Sequence, residues 1–264
     1  MKKWAILLVA ATFLSAAVTS FAADLTCVFA PGFDAAKAQK ITDALGKNSG
    51  LSISPQVAKS YPDLLDAFTA NRPTLVYVGS FVQAIIASRK LGTPLVQNAD
   101  GKEMYSGILI CPKDQDPEAI LKNSPQAIAY AIGASSGEST AKAATGGKAS
   151  IGVDSHGAAI KAVQEGKAKA AVVKDWWWLA KEKDFAGMKS YRIPGLSVQK
   201  NPDNVLTASN VVPKAVADKV TAAALASSAA FGDKSVVLPF DAGQLAFSID
   251  LMKKGGIDPL KYTW

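Results

Sequence analysis

Arginine, histidine and cysteine are scarce in this chain. Three arginines (Arg72, Arg89, Arg192), one histidine (His156) and two cysteines (Cys27, Cys111) occur in 264 residues. With one histidine and no C-x-x-C or H-x-x-x-H spacing, no metal-binding motif is present, and neither metal nor cofactor is expected. The G-x-S-x-G elbow and the G-x-x-x-x-G-K-[ST] phosphate loop are both missing. A Ser-His-Asp triad has no supporting acid in sequence context. The chain therefore does not read as an enzyme. Its formal charge is +7, but the lysines are scattered, with no dense basic run interleaved with aromatics. That pattern argues against nucleic acid. After the first 22 residues, nothing is apolar over the ~20 residues a bilayer span needs.

The first residues have the character of an export signal. Lys2 and Lys3 precede an apolar stretch from Trp4 to Val18, and Ser20-Phe21-Ala22 fits a small-x-small cleavage rule. A transmembrane anchor is the rival reading, disfavoured by the short apolar core. No cysteine follows the cleavage position, so a lipid anchor is not expected. Cleavage after Ala22 leaves 242 residues with a formal charge of +5, enough for one large or two modest domains. An exported chain can form disulfides. Cys27 and Cys111 both fall in predicted strands, so two buried free thiols and a bridge stay open as readings. A metal or metalloid site is a distant third.

Strand and helix signals alternate along the mature chain. Strands are predicted at 25–30, 51–57, 74–78, 94–98 and 103–111, and helices at 35–47, 61–70 and 80–90. The pattern restarts at Pro112, with strands at 127–132, 150–153, 170–173 and 188–193 and helices at 135–145, 158–164 and 175–183. An extended segment at 205–210 follows, then helices from Pro213 to about Phe231 and from Pro239 to Gly255, which have no partner strands of their own. This alternation predicts an α/β fold with mostly parallel sheets flanked by helices. The simplest arrangement is two lobes: residues 23–110 and 205–264 in lobe one, residues 111–204 inserted as lobe two, and hinges near Cys111 and Gly195.

Two segments carry the most chemical information. Ser135-Ser136-Gly137-Glu138 and Asp154-Ser155-His156-Gly157 each follow a short apolar run and open a helical pattern. Helix N-termini carry unpaired N–H donors and partial positive charge, so such segments suit a small oxyanion. Gly137 permits close backbone approach. His156 can donate as a neutral imidazole or pair as a cation. Tyr61, Tyr105 and Ser80 offer hydroxyls at element ends. Bland readings compete with each of these. Ser135-x-x-Glu138 is also a capping box, Ser80 an ordinary N-cap region, and a lone histidine or tyrosine is usually structural. Trp176-Trp177-Trp178 cannot all enter one core, because successive helical residues lie about 100° apart. At least one ring should be exposed or line a cleft.

Several motifs resemble, in order, those of periplasmic substrate-binding proteins of phosphate, phosphite and phosphonate ABC transporters. Ser60-Tyr61-Pro62-Asp63-Leu64-Leu65-Asp66-Ala67, Val76-Tyr77-Val78-Gly79-Ser80-Phe81 and Gly101-Lys102-Glu103-Met104-Tyr105-Ser106-Gly107 are similar to their segments. So are Ser135-Ser136-Gly137, Ser155-His156-Gly157-Ala158-Ala159 with the following Val163-Gln164-Glu165-Gly166, and Asn201-Pro202-Asp203-Asn204. The resemblance implies a two-lobe type II periplasmic binding protein fold, periplasmic location and a monomer. It also implies a small oxyanion ligand and an inner-membrane ABC permease as partner, with a sensor module or a secreted enzyme on the same fold as alternatives. It places Tyr61, Tyr105, Ser135, Ser136 and His156 at ligand positions, and Asp175 near an acidic one. The loop here is Ser-Ser-Gly-Glu where the family usually shows Ser-Thr-Ser-Gly, and the path to His156 is shorter.

Overall fold

The computed structural model describes residues 24–263. The expected signal peptide at 1–22 lies outside the described residues. In chain order the first half runs β1 (Leu25–Phe29), α1 (Ala35–Ser49), β2 (Ile53–Val57), α2 (Tyr61–Thr69), β3 (Thr74–Val78), α3 (Ser80–Ser88), β4 (Gly92–Ala99), β5 (Met104–Tyr105) and β6 (Gly107–Pro112). Then come α4 (Pro117–Asn123), β7 (Ile128–Ala131), a π turn (Ser135–Ser139) leading into α5 (Thr140–Ala144), β8 (Ile151–Val153), α6 (His156–Gln164), β9 (Ala170–Lys174) and α7 (Asp175–Lys181). The last third holds β10 (Met188–Tyr191), β11 (Asn201–Pro202), β12 (Val205–Ser209), α8 (Lys214–Leu225), α9 (Ser228–Phe231), β13 (Val236–Pro239) and α10 (Ala246–Lys254).

These strands form two mixed sheets and a two-stranded antiparallel ribbon of β5 and β11. One has six strands in the order β13-β4-β12-β3-β1-β2, and the other five in the order β10-β6-β9-β7-β8. Parallel pairing joins β2, β1 and β3 in the first sheet and β8, β7 and β9 in the second, while the remaining neighbours are antiparallel. Side chains alternate between faces with a period of two. Leu25, Cys27 and Phe29 point into one apolar layer with α1 and α8, and Val28 points into the opposite layer with α2, α3 and α10. The second sheet is likewise covered on both faces, with Ile108 and Ile110 on one side and Leu109 and Cys111 on the other. Helix starts follow capping chemistry: Asp34 accepts from Lys37 N–H at 2.7 Å, Ser60 from Asp63 at 3.2 Å and Ser155 from Ala158 at 3.1 Å.

Four sequence expectations change. The predicted strand 103–111 breaks at Ser106, whose N–H and hydroxyl both donate to the Asp175 carboxylate and so leave the ladder. The following strand β6 belongs to the second sheet, so Cys111 lies inside that sheet and the chain crosses before Gly107. The alanine-rich helix from Pro213 ends at Leu225 and a separate α9 follows. Ser227 donates back to the Ala223 carbonyl at 2.6 Å, a bond that bends helices. The closing segment does contribute a strand, because β13 pairs antiparallel with β4 at the sheet edge. Its four residues end in Pro239, a residue confined to edges within sheets, which the sequence reading placed at the start of the last helix. Helix α4 had no counterpart in the sequence reading.

Cys27 and Cys111 are free, buried and in different sheets, and burial pushes both thiols above the ordinary cysteine pKa. A thiol reagent such as DTNB should therefore label neither cysteine in the native protein and two per chain after denaturation. Labelling in the native state would show that one sheet opens readily.

Candidate functional site

The C-terminal ends of the central strands of both sheets converge on one polar pocket. Ala30 follows β1, Gly79 follows β3, the Gly133–Ser136 segment follows β7, and Lys174 ends β9. Strand C-terminal ends are where open α/β sheets bind ligands, since loops and helix N-termini gather there. Here these groups, with Tyr61, Tyr105 and Asp203, surround a cavity of about 30 Å³. Close approach explains two glycines. A Cβ on Gly79 would lie 2.8 Å from an Asp203 carboxylate oxygen, and one on Gly133, at φ +74°, would lie 2.6 Å from Tyr61 Cβ. The Tyr61–Gly133 contact joins a helix of the first sheet to a loop of the second.

All five residues of the π turn are buried. The Ser80 hydroxyl donates to Ser135 Oγ at 2.9 Å and lies 2.9 Å from the Tyr105 hydroxyl, linking the two sheets by a chain of hydroxyls. Thr140 Oγ1 donates to the Ser135 carbonyl at 2.8 Å. Glu138 does not fold back on Ser135 as a capping box. Its carboxylate accepts from Gly133 N–H at 2.9 Å, from the Tyr262 hydroxyl at 2.7 Å and from Lys142 at 2.7 Å. The helical segment starts with Ala134 at its N-cap, one residue before the position a Ser135 cap needs, and no side chain caps it. The Glu138 charge is held on the side of the turn occupied by Lys142 and Tyr262. Burial and the neighbouring carboxylate push the Tyr262 phenol far above its ordinary pKa, so it remains a donor.

Lys174 forms an ion pair with Asp203 and lies 4.2 Å from the Tyr105 ring centre. Burial, the largest single influence, lowers its pKa, but the Asp203 charge and hydrogen bond together with Tyr105 and Tyr61 outweigh it, and the net shift is upward. Lys174 is therefore a permanent cation, and its charge is matched by Asp203. Burial raises the phenols of Tyr61 and Tyr105 as well, Tyr105 to about 12, so both stay protonated. His156 begins α6 with Nε2 a long 3.4 Å from Ser136 Oγ. Burial, helped by the Lys174 charge, pushes its pKa down to about 3. His156 is thus a neutral imidazole at neutral pH and not the cationic partner that was the sequence's other option. It faces a second, larger pocket of about 460 Å³, which shares Tyr61 with the inner cavity.

The fold brings Tyr61, Ser80, Tyr105, Ser135, Ser136 and His156 together. Two expected residues stand apart. Gly137 packs against the Ala131 backbone, where a Cβ would meet the carbonyl at 2.8 Å. It serves close packing and lines neither pocket. Asp175 is buried against the crossing strands, accepting from Ser106 N–H, from the Ser106 hydroxyl at 2.7 Å and from Trp176 N–H at 2.9 Å. It ties α7 to the segment between β5 and β6. The tryptophans divide as helical geometry requires. Trp178 is buried, Trp177 lines the outer pocket, and Trp176 donates to the Met104 carbonyl at 2.9 Å. Sequence reasoning missed Lys174 and Asp203 as site residues. Asp203 was visible in the quoted Asn-Pro-Asp-Asn turn, but nothing in the sequence paired it with Lys174, 29 positions earlier.

Residues 34–244 match the protein family described as "ABC transporter, phosphonate, periplasmic substrate-binding protein". The chain belongs to this family. It is a family of substrate-binding proteins, not of enzymes, and its members work in the periplasm with an ABC transporter. Solved structures share the fold. PhnD1 from Prochlorococcus marinus, in complex with methylphosphonate, aligns with a TM-score of 0.66 at 14% identity, covering 88% of this chain and 98% of that one. The binding protein component PA3383 of a phosphonate transporter from Pseudomonas aeruginosa gives 0.66 at 14%, covering 87% of each chain. XAC2383 from Xanthomonas citri, bound to ATP, gives 0.67 at 12%, covering 88% and 97%. No curated protein sequence matches the chain. At these identities the structures establish the two-sheet type II periplasmic binding protein fold and nothing about the ligand.

Two predictions follow from the charges. Tyr262→Phe removes one donor from the buried Glu138 carboxylate and should lower unfolding free energy by about 1.5–3 kcal/mol. Urea denaturation checks this, and an unchanged midpoint would remove Tyr262 as a Glu138 partner. His156 has a depressed pKa, so the unfolded chain binds a proton that the folded chain refuses between pH 6.5 and about 3. Stability should therefore fall as pH drops through that window and be independent of His156 above it. In urea titrations from pH 7.5 to 4, His156→Gln should flatten the acid-side loss. An identical slope in the variant would contradict the buried neutral imidazole.

Proposed function

We propose that the chain is an exported solute-binding protein that captures a small oxyanion between its two sheets and delivers it to an inner-membrane ABC permease. The observation that carries this reading is the inner cavity. Its walls present protonated phenols and serine hydroxyls, Tyr61, Tyr105, Ser135 and Ser136, around a lysine already matched by a carboxylate. Hydroxyl and backbone donors read the oxygens of an oxyanion without a guanidinium fork. Family membership supplies the transport context and the periplasmic location, which agrees with a signal peptide at 1–22.

In this reading the two sheets are the cores of two lobes. The lobes hinge where the chain crosses between them, at the β5–β11 ribbon, where Tyr105 pairs with Asn201 and Met104 with Pro202. The hinge thus lies a few residues earlier in the first crossing, and later in the second, than Cys111 and Gly195. The Ser80–Ser135 hydrogen bond and the Tyr61–Gly133 contact are closed-state contacts. An oxyanion inserted beside Ser135 and Ser136 takes up the hydroxyls that now bond each other. Ser155, engaged as the α6 cap, stays out of the ligand set.

Calorimetric titration of the mature protein with phosphate, phosphite and methylphosphonate tests the reading. One of them should bind with 1:1 stoichiometry, and Ser136→Ala should weaken that binding about tenfold, equivalent to ~1.4 kcal/mol. No binding by any of the three would overturn it.

A further inference from the structure

Two compartments of very different size meet at Tyr61, with His156 on the outer one. The inner one, about 30 Å³, has room for about two water molecules at ~10–15 Å³ each. The outer one, about 460 Å³, falls within the ~300–1,000 Å³ typical of small-molecule pockets. A bare tetrahedral oxyanion has no use for the second space. The outer pocket is also built from both sides of the cleft: Pro31, Gly32 and Lys59 come from loops of the first sheet and Tyr61 from the start of its helix α2, and Asp154, His156 and Trp177 come from the second.

Its aromatic wall is held rigidly. Trp177 is half-buried, with its ring centre 5.9 Å from the His156 ring and 6.2 Å from Phe185, and Phe185 in turn stacks on buried Trp178 at 5.9 Å and 16°. An indole fixed in this way and still facing a pocket is suited to offset stacking with a flat ring. His156 Nδ1 is buried without a hydrogen-bond partner, so the imidazole at the junction has an unused polar edge. The rim charges are one lysine, Lys59, and one aspartate, Asp154. They cancel, so the pocket has no net charge to draw in a second anionic group.

We propose that the ligand of this cleft is a monosubstituted oxyanion, a phosphonate or phosphate monoester, whose single substituent is a neutral planar ring seated in the outer pocket against Trp177. This rests on the oxyanion reading above and adds the substituent. Trp177 selects the ligand by its tail, while the hydroxyls of the inner cavity hold its head.

Calorimetric titration with methylphosphonate, phenylphosphonate and phenyl phosphate, side by side, tests the proposal. Phenylphosphonate should bind at least tenfold tighter than methylphosphonate, and phenyl phosphate set against phenylphosphonate tells the ester from the phosphonate as the source of the head group. Trp177→Ala should bring the phenyl-to-methyl affinity ratio close to one, and Trp177→Phe should retain most of the preference. Trp177→Leu, which preserves apolar volume, should also lose the preference and serves if the alanine variant fails to fold. Equal affinities for the methyl and phenyl compounds in the native protein, or a preference that survives Trp177→Leu, would overturn the proposal while leaving the oxyanion reading intact. Absence of binding by all three compounds would instead overturn the oxyanion reading.

Discussion

A polar turn buried between two sheets must have its charge and most of its donors answered from within the protein. That requirement organises this molecule. Ser135 to Ser139 lie at the junction of the sheets with almost no exposure, and an unsatisfied buried polar group costs roughly 1–3 kcal/mol. Ser80, on the helix that follows β3 of the first sheet, answers Ser135 and is itself backed by Tyr105 of the β5–β11 ribbon, and the C-terminal segment answers Glu138 through Tyr262. Lys142 neutralises the same carboxylate from within α5. Within the turn, Ser139 Oγ is left without a partner. The first sheet and the C-terminal segment therefore both hold the turn. The Ser135 hydroxyl joins those of Ser80 and Tyr105, while the Glu138 charge is consumed by Lys142 and Tyr262.

The same economy governs the electrostatics of the cleft. An unpaired buried lysine would bind any anion strongly and fold poorly, because burying a lone charge is expensive. Pairing Lys174 with Asp203 under the Tyr105 ring removes that cost and leaves the cleft close to neutral. In the proposed function, recognition falls to oriented hydroxyls, and the phenols among them stay protonated because burial raises their pKa values. A neutral His156 extends that logic, since the Lys174 charge beside it discourages a second cation. An oxyanion site of this kind would distinguish ligands by hydrogen-bond geometry more than by charge.

Much of this was legible before any coordinates. The continuous apolar run Thr74–Val78, bounded by Pro73 and Gly79, has no alternative to a buried strand and occupies those residues. Tyr61, Tyr105, Ser135, Ser136 and His156 were singled out by sequence position and gather as neighbours. What stayed hidden depended on long-range contact. Nothing local announces that Tyr262 closes on Glu138 across 124 positions, so the Ser-x-x-Glu spacing read as a self-contained cap. Nor does the spacing announce that the turn starts with Ala134 at its N-cap, which leaves Ser135 out of the capping position. Asp175 stood near a ligand position in sequence, yet a turn of helix directs it to the crossing strands. The edge strand β13 was invisible because four residues ending in proline carry no pattern of their own.

The central claim is that the inner hydroxyls hold an oxyanion at the junction of the sheets. A crystal structure of the protein grown with methylphosphonate tests it most directly. The account predicts the phosphonate oxygens within hydrogen-bond distance of Ser135, Ser136 and the Tyr61 and Tyr105 phenols, with the Ser80–Ser135 hydrogen bond replaced. A phosphonate bound elsewhere, with Ser80 still donating to Ser135, would contradict it.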